Sequence, residues 1–465
     1  MNNLLGPLDV SFKELESYCF KKMQEYFAQM LVEVLEQLDE LIGAGRDKTR
    51  FVVKERRQRT VDTLLGPVTF RRRYYQDREQ GVYRALLDEQ LSLEKQERVS
   101  PGLSVAAVFQ AVLGPSYRAA RESLSRFFDH PVLSHESIRQ LVLATGKRIG
   151  QEQQRRRDDP QGDRRVPVLF LEVDGLHVSL QQEKKKNREL PVMLSHEGWT
   201  GEGSRRELVG CHFYGQTRIK DFWEEASRQV WSHYQLDENT LVVINGDRAA
   251  WIRQGVDYFP RAIYQADAFH VKRDVRTNIR DPEQRVAALR AYEQNQPEEL
   301  ERILRQVAAE ESVPTRRKEL EDLARDIRGN PASFRDYRVR LQEQGCEVEG
   351  LCGVGAAESM VKRLAYRLKN RGQSWRIEGV GRMLDSLVQR LEGTLAHYAE
   401  QVDRLHDHFS EPRIKAGVGR LVKGAVDHAM GPQRGHMPVR EMGRSGSGGL
   451  SRMMRRLDEG GMPVS

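Results

Sequence analysis

Val166-Pro167-Val168-Leu169-Phe170-Leu171-Glu172-Val173-Asp174-Gly175 is the stretch that decides the fold. Its apolar and β-branched residues predict a strand buried on both faces. The run ends on a carboxylate and then a glycine. Read this way, it delivers Asp174 to the rim of a sheet, where open α/β sheets place their ligands. An ordinary Asp-Gly turn would leave the same trace. Two later runs have the same form. Leu241-Val242-Val243-Ile244-Asn245-Gly246-Asp247 is one, and Ala262-Ile263-Tyr264-Gln265-Ala266-Asp267, running into Phe269-His270, is the other. Parallel strands that each present a carboxylate at one rim predict a site for hard divalent cations. Such cations take oxygen ligands, and a pair of them clamps a phosphoryl transfer.

Outward from these strands the order is regular. Residues 176–180 continue the first strand, 184–189 form a charged turn, and 190–194 and 208–214 supply two further strands. Asp221 is placed to cap a helix with Phe222, Ala226, Val230 and Tyr234 on one face. A short helix is expected over 249–256. Three strands, a helix, a strand, a helix and a strand is the order of an RNase H-like sheet. The expected fold class is α/β, with the first part of an RNase H-like catalytic core over 166–281. Residues 282–344 are strongly charged, with Leu289, Leu300, Leu304, Leu320 and Ile327 at helical spacing, and read as a helical insertion. The C-terminal helices of the core fall within 345–430. On the helix that opens near Gly355, Glu358, Lys362 and Lys369 share a face. A carboxylate on a basic stripe suits a metal ligand beside a phosphate backbone; it equally suits an i,i+4 Glu–Lys pair on a solvated face.

Residues 1–150 read as a mainly helical N-terminal region with a β-hairpin. A helix spans 11–45. Strands at 60–64 and 68–75 flank Gly66-Pro67, and the second carries Arg71-Arg72-Arg73-Tyr74-Tyr75. Basic and aromatic residues together suit a nucleic-acid backbone, or protect an edge strand. Helices over 104–113, 116–128 and 134–149, the last with Arg139 and Gln140, predict a DNA-binding helix-turn-helix. Residues 151–165 are almost all Gln, Arg, Asp and Gly and read as a linker. Residues 431–465, rich in Gly, Ser, Arg, Met and Pro, read as a disordered tail.

The 465 residues suffice for two or three domains, and 31% charged against 38% hydrophobic residues leaves enough for real cores. Lys plus Arg outnumber Asp plus Glu by 75 to 68, with clusters at 71–73, 155–157, 184–186 and 316–318 that favour a polyanion partner. Cys19, Cys211, Cys346 and Cys352 form no CxxC pair, which argues against a zinc ribbon or a disulfide framework. No apolar run approaches 18 residues, and no signal-peptide core is visible. The expected location is cytoplasmic, with no membrane partner.

Several motifs in fixed order carry a resemblance. Leu171-Glu172-Val173-Asp174-Gly175 comes first, and Ile244-Asn245-Gly246-Asp247 with Trp251-Ile252 second. Tyr258-Phe259-Pro260, Asp267-Ala268-Phe269-His270, and Gly355-Ala356-Ala357-Glu358 with Arg371-Gly372-Gln373-Ser374-Trp375 complete the series. Together, from about residue 60 to 387, they resemble the bacterial ISLre-type insertion-sequence transposases, relatives of the Mutator-type transposases. The resemblance implies a DDE transposase that performs metal-dependent DNA cleavage and strand transfer. It implies Asp174, Asp247 and Glu358 as catalytic metal ligands. The cofactor would be Mg²⁺, with Mn²⁺ as a substitute. His270 would orient the scissile phosphate or move a proton. Mutator relatives usually show Cys-x-x-His at 267–270, so Asp267 is either a spare ligand or a positioning group. The implied partners are the terminal inverted repeats of the element, target DNA, and further copies of the chain assembled on DNA. The alternatives are a catalytically inactive transposase-derived DNA-binding protein and a stand-alone RNase H-like nuclease. The spacing from 247 to 358 is 358 − 247 = 111 residues, which a bare RNase H core could not fill and a helical insertion does.

Overall fold

The structure is a computed structural model that describes residues 11–91, 93, 98–128, 132–184, 186–201, 203 and 206–400. The tail expected over 431–465, and the part of the C-terminal helices beyond 400, lie outside the described residues. The chain divides into two compact units, described over 11–103 and 104–400.

In the first unit, helix α1 (Phe12–Gly45) starts at Ser11, which forms a capping box with Glu14. Its second half buries Val34, Leu38 and Ile42 against a hairpin core of Val61, Val68, Phe70 and Tyr75. The hairpin is β1 (Phe51–Thr63) and β2 (Gly66–Asp77), longer than expected, and Thr63 pairs with Gly66. The turn is therefore Leu64-Leu65, one step before the expected Gly66-Pro67. Strand β3 (Val82–Arg84) and helix α2 (Leu86–Gln90) close the unit. The basic run on β2 is largely internal. Arg72 joins Arg59 on Oδ2 of Asp88, at 2.7 and 2.8 Å, while Arg73 reaches Asp39 at 2.7 Å and also pairs with Glu40.

In the second unit, α3 (Pro101–Leu113), α4 (Tyr117–Phe128) and α5 (His135–Asp158) follow in the expected order. Helix α5 does not end near 149. It continues through the first half of the expected linker to Asp158, held by Arg156 on Glu152 and by Arg157 on Glu225 at 2.8 Å. Those side chains are polar because they bind across to other elements, so polarity there marks a helix flank. At Gly146 a Cβ would lie 2.4 Å from the carbonyl oxygen of Arg382, so only glycine lets α5 cross this closely. Helices α4 and α5 thus belong to the compact unit that holds the sheet, and the boundary falls near 103 rather than 150.

The central sheet has five strands in the order β10-β9-β4-β5-β8, with β4 (Val168–Ser179), β5 (Asn187–His196), β8 (His212–Gly215), β9 (Leu241–Gly246) and β10 (Ala262–Ala266). β4, β5 and β8 are antiparallel to their neighbours; β9 and β10 run parallel to β4. A separate ladder of β6 (Trp199–Thr200) and β7 (Glu207–Leu208) sits in the β5–β8 connection. Helix α6 (Phe222–Trp231) precedes β9; Asp221 stands before it in a left-handed conformation and its side chain does not cap it. Helix α7 (Ala250–Arg253) and a 3-10 turn lead to β10. Then come α8 (Ala268–Asn278), α9 (Pro282–Glu293), α10 (Pro297–Glu310), α11 (Pro314–Gly329) and α12 (Tyr337–Glu343), so the stretch 282–344 is helical as its spacing predicts. Helices α13 (Ala356–Leu368), α14 (Ile377–Leu391) and α15 (Leu395–Glu400) complete the unit.

Alternation on the strands sorts the two faces. Leu169, Leu171, Val173, Val242, Ile244 and Tyr264 pack with α6 and with Leu300, Leu304, Leu320 and Leu323 of the inserted helices. Val168, Phe170, Leu241 and Val243 pack on the other side with Tyr337 and Leu341 of α12. Among the described residues no helix is long and apolar enough to cross a membrane.

Candidate functional site

Asp174 does not end its strand. β4 runs on to Ser179, paired only with β5, while its parallel pairing with β9 stops at Val173 opposite Gly246. Asp174 and Asp247 are the next residues on each strand, so the two carboxylates leave the sheet side by side where the ladder opens. Gly175 is required there, because a Cβ would fall 2.2 Å from Oε1 of Glu189. Each aspartate fixes one oxygen on its own backbone. Oδ1 of Asp174 accepts from the Gly175 N–H at 2.7 Å, and Oδ1 of Asp247 from the Ala249 N–H at 2.9 Å.

Asp267, after β10, caps α8. Its Oδ2 takes the backbone N–H of His270 at 3.3 Å and the ring Nδ1 at 2.6 Å, and its Oδ1 accepts from Asn245 at 3.3 Å. The ion-pair hydrogen bond to Asp267 holds the His270 pKa above its ordinary value against the opposing effect of burial, and the charge of Asp174 adds to it. Burial pushes Asp267 up, but the hydrogen bonds of His270 and Asn245 outweigh it and leave that carboxyl below its usual range. Burial raises Asp174, and the charges of Asp247 and Asp267 raise it further; the Gly175 hydrogen bond and His270 oppose them. A carboxylate crowded by its own kind favours a cation. His270 and Asp247 line a cleft of about 410 Å³ with Arg248, Arg273 and Arg325. Arg248, directly after Asp247, ties the end of β9 to Asp274 of α8 and Asp326 of α11, at 2.8 and 3.0 Å.

Glu358 stands on the first turn of α13. It is not gathered with the two aspartates. Its carboxylate pairs with Lys362 at 2.9 Å, and among the described residues no three His, Cys, Asp or Glu side chains converge closely enough to hold a metal ion. Asp174 and Asp247 provide oxygen donors of the kind Mg²⁺ takes, and a third from Glu358 requires the Lys362 pair to open.

Glu172 has a part that the sequence pattern hid. It is fully buried, two residues before Asp174 on the same face of β4. Its Oε2 accepts from the N–H groups of Gly355 and Ala357 at 2.9 and 3.0 Å, and its Oε1 meets Nε2 of His196 at 3.2 Å. The available signal was a lone charge inside a run of apolar residues.

The expected DNA-reading side chains are otherwise engaged. Arg72 and Arg73 form the internal ion pairs above. Arg139 and Gln140 both bind Glu136 on their own helix, whose carboxyl Arg139 and Gln140 hold down at about 2.

Known sequences with similarity to this chain carry no assigned activity. The uncharacterised protein family UPF0236 matches residues 8–405. A UPF0236 protein of Caldanaerobacter subterraneus subsp. tengcongensis, whose name joins eleven loci of that genome, is 24% identical over 335 residues, 71% of this chain and 69% of its own length. A second from the same organism, joining four loci, is 23% identical over 321 residues, 68% of this chain and 66% of its own. With a match that spans most of its length, the chain belongs to the UPF0236 family.

Proposed function

We propose that the second unit is an RNase H-like core and that the protein is a DDE transposase, cutting and joining DNA at the ends of an insertion sequence. One observation carries this reading: Asp174 and Asp247 emerge side by side where two parallel strands part. The surrounding order supports it, with three antiparallel strands, two parallel additions on the far side of the first, a helical insertion, and then a helix bearing Glu358. Relatives present at eleven and four loci of one genome fit a sequence that copies itself.

Asp174, Asp247 and Glu358 would hold Mg²⁺, or Mn²⁺ in its place. When bound, such cations supply Lewis-acid stabilisation of charge on the phosphate. The chain's own residues provide the rest. Asp174 and Asp247 keep their free oxygens aimed at one place by tying the others to backbone N–H groups. His270, its proton shared with Asp267, offers a positive ring beside Asp247 to orient the scissile phosphate or to move a proton. Arg273 and Arg325 line the same cleft and suit the flanking phosphates. The proposed partners are the terminal repeats, target DNA, and further copies of the chain assembled on that DNA.

The test is strand cleavage of a duplex carrying the DNA ends that flank the gene, with Mg²⁺ or Mn²⁺. Cleavage by the natural chain, lost on the order of a thousandfold in Asp174→Asn and Asp247→Asn, is the expected result. No cleavage by the natural chain under either metal, with the duplex still bound, would instead favour an inactive DNA-binding protein. Cutting without joining would make it a nuclease.

A further inference from the structure

Glu172 joins β4 to the start of α13. A buried carboxylate needs full hydrogen-bond satisfaction, and here it comes from a helix N-terminus and an imidazole rather than from a basic side chain. The tautomer of His196 follows from its other contact. Nδ1 accepts from the Gly198 N–H at 3.2 Å, so Nε2 carries the proton and donates it to Glu172. The ring is fixed by Phe170, stacked with centroids 4.9 Å apart, and by the edge contact with Trp199. On the helix side, Gly355 sits at φ +144, a conformation open to glycine, with Oδ1 of Asp267 4.0 Å from where a Cβ would be. The backbone entering α13 therefore passes between Glu172 and Asp267. Three residues after Gly355 comes Glu358, and two residues after Glu172 comes Asp174.

We infer that Glu172 is a positioning residue: by holding the Gly355 and Ala357 N–H groups it sets where Glu358 stands relative to Asp174. This rests on the transposase reading above. The carboxylate touches neither substrate nor metal. It acts through the helix, as outer partners of metal ligands do. Its conservative replacement separates charge from contact, because the Oε1 of a glutamine accepts both N–H groups while its amide nitrogen replaces the oxygen that met His196.

The experiment uses the full chain and two measurements. Amide hydrogen exchange is followed over 355–360, and metal-dependent cleavage of the terminal duplex is measured with kcat and KM separated. In Glu172→Ala, exchange at the start of α13 should quicken by about tenfold or more. The kcat should fall by roughly ten- to a hundredfold at an unchanged KM for the duplex. Glu172→Gln should restore most of both. Gly355→Ala, which leaves Glu172 in place and strains the same turn, should lose kcat in the same way; it carries the test if Glu172→Ala does not fold. Unchanged exchange in Glu172→Ala would overturn the inference, as would faster exchange with an unchanged kcat. A natural chain that cuts no DNA would sink the transposase reading instead, and the exchange measurement would still decide whether Glu172 holds the helix.

Discussion

The charge clusters of the two units have opposite fates. On the hairpin of the first unit, Arg72 and Arg73 are turned inward, each on a carboxylate of a neighbouring helix. On the sheet of the second unit, Asp174, Asp247 and Asp267 raise one another's cost, and the nearby cation is a histidine that Asp267 holds at 2.6 Å. Both clusters contain buried charge. The arginines are compensated by geometry, whereas the aspartates are left partly uncompensated. Uncompensated charge at a sheet rim is costly to the fold, which makes it a pointer to chemistry. A basic run in the sequence says nothing of this, because its partners are 16 to 34 residues away.

The largest expected effect comes from breaking the compensated cluster. Asp88→Ala would leave Arg59 and Arg72 buried against each other with their shared acceptor removed. Losing one partner of a buried ion pair costs about 3–5 kcal/mol. Denaturant unfolding of the variant should show that loss in the first transition. A change below about 1 kcal/mol would mean that solvent reaches those guanidinium groups and that they resemble a surface cluster after all.

A second acid of the uncompensated kind sharpens the contrast. Asp385 faces a cavity of about 580 Å³ between α5, β8, α6 and α14, with Arg382 at 3.6 Å. Burial raises its pKa to about 7, with Arg382 and Arg157 opposing. A carboxyl whose folded pKa lies above its unfolded value costs nothing below the unfolded pKa. The cost grows as pH rises and is complete above about 7. The natural chain should therefore lose stability between pH 4 and 7, and Asp385→Asn should flatten that slope. With the side chain 27% exposed, the gain of the variant at pH 8 should be on the order of 1–3 kcal/mol. Thermal melts across that range check it, and parallel slopes for both proteins would refute it.

The strands that build the site were legible because buried parallel strands have a plain signature: short β-branched runs ended by Asp or Gly. The 282–344 helices were legible by their spacing. Other features were not. The sequence cannot show that β4 keeps a second partner after leaving the first, so Asp174 looked like a strand end. Residues 151–158 looked like a linker because the partners of Arg157, Glu225 and the Tyr214 ring, lie some 60–70 residues away. Asp221 looked like a cap because side-chain type predicts capping only when the backbone is extended, and here φ is +61. Glu172 was passed over because its partners are backbone N–H groups, which have no sequence signature.

The uncompensated cluster itself makes a smaller prediction for stability. Asp174→Asn keeps an oxygen for the Gly175 N–H and removes a charge that burial and two neighbouring carboxylates penalise. Without metal the variant should be as stable as the natural chain, or more stable by about 1 kcal/mol at neutral pH. Added Mg²⁺ should then raise the melting temperature of the natural chain and leave the variant unmoved. A variant destabilised by about 2 kcal/mol or more would place Asp174 with the structural charges.

The smallest effect on stability belongs to Arg71, the member of the basic run that stays outside. Its backbone N–H binds Glu36 at 2.9 Å, while its side chain is exposed and forms no ion pair among the described residues. Arg71→Ala should change stability by less than about 0.5 kcal/mol, the usual range for a surface substitution away from such features. Its effect on DNA should be of another kind. A lysine or arginine on a phosphate adds a salt-dependent, sequence-independent increment to binding, so the variant should bind any duplex more weakly. The slope of log affinity against log salt should then fall by about one. Arg72→Met would not serve for this comparison, since it would also unpair Asp88. If Arg71→Ala leaves the slope unchanged, the hairpin does not touch the backbone. The whole basic run is then part of the fold, and the phosphate contacts lie on the second unit, with Arg273 and Arg325 beside Asp247 as the next pair to replace.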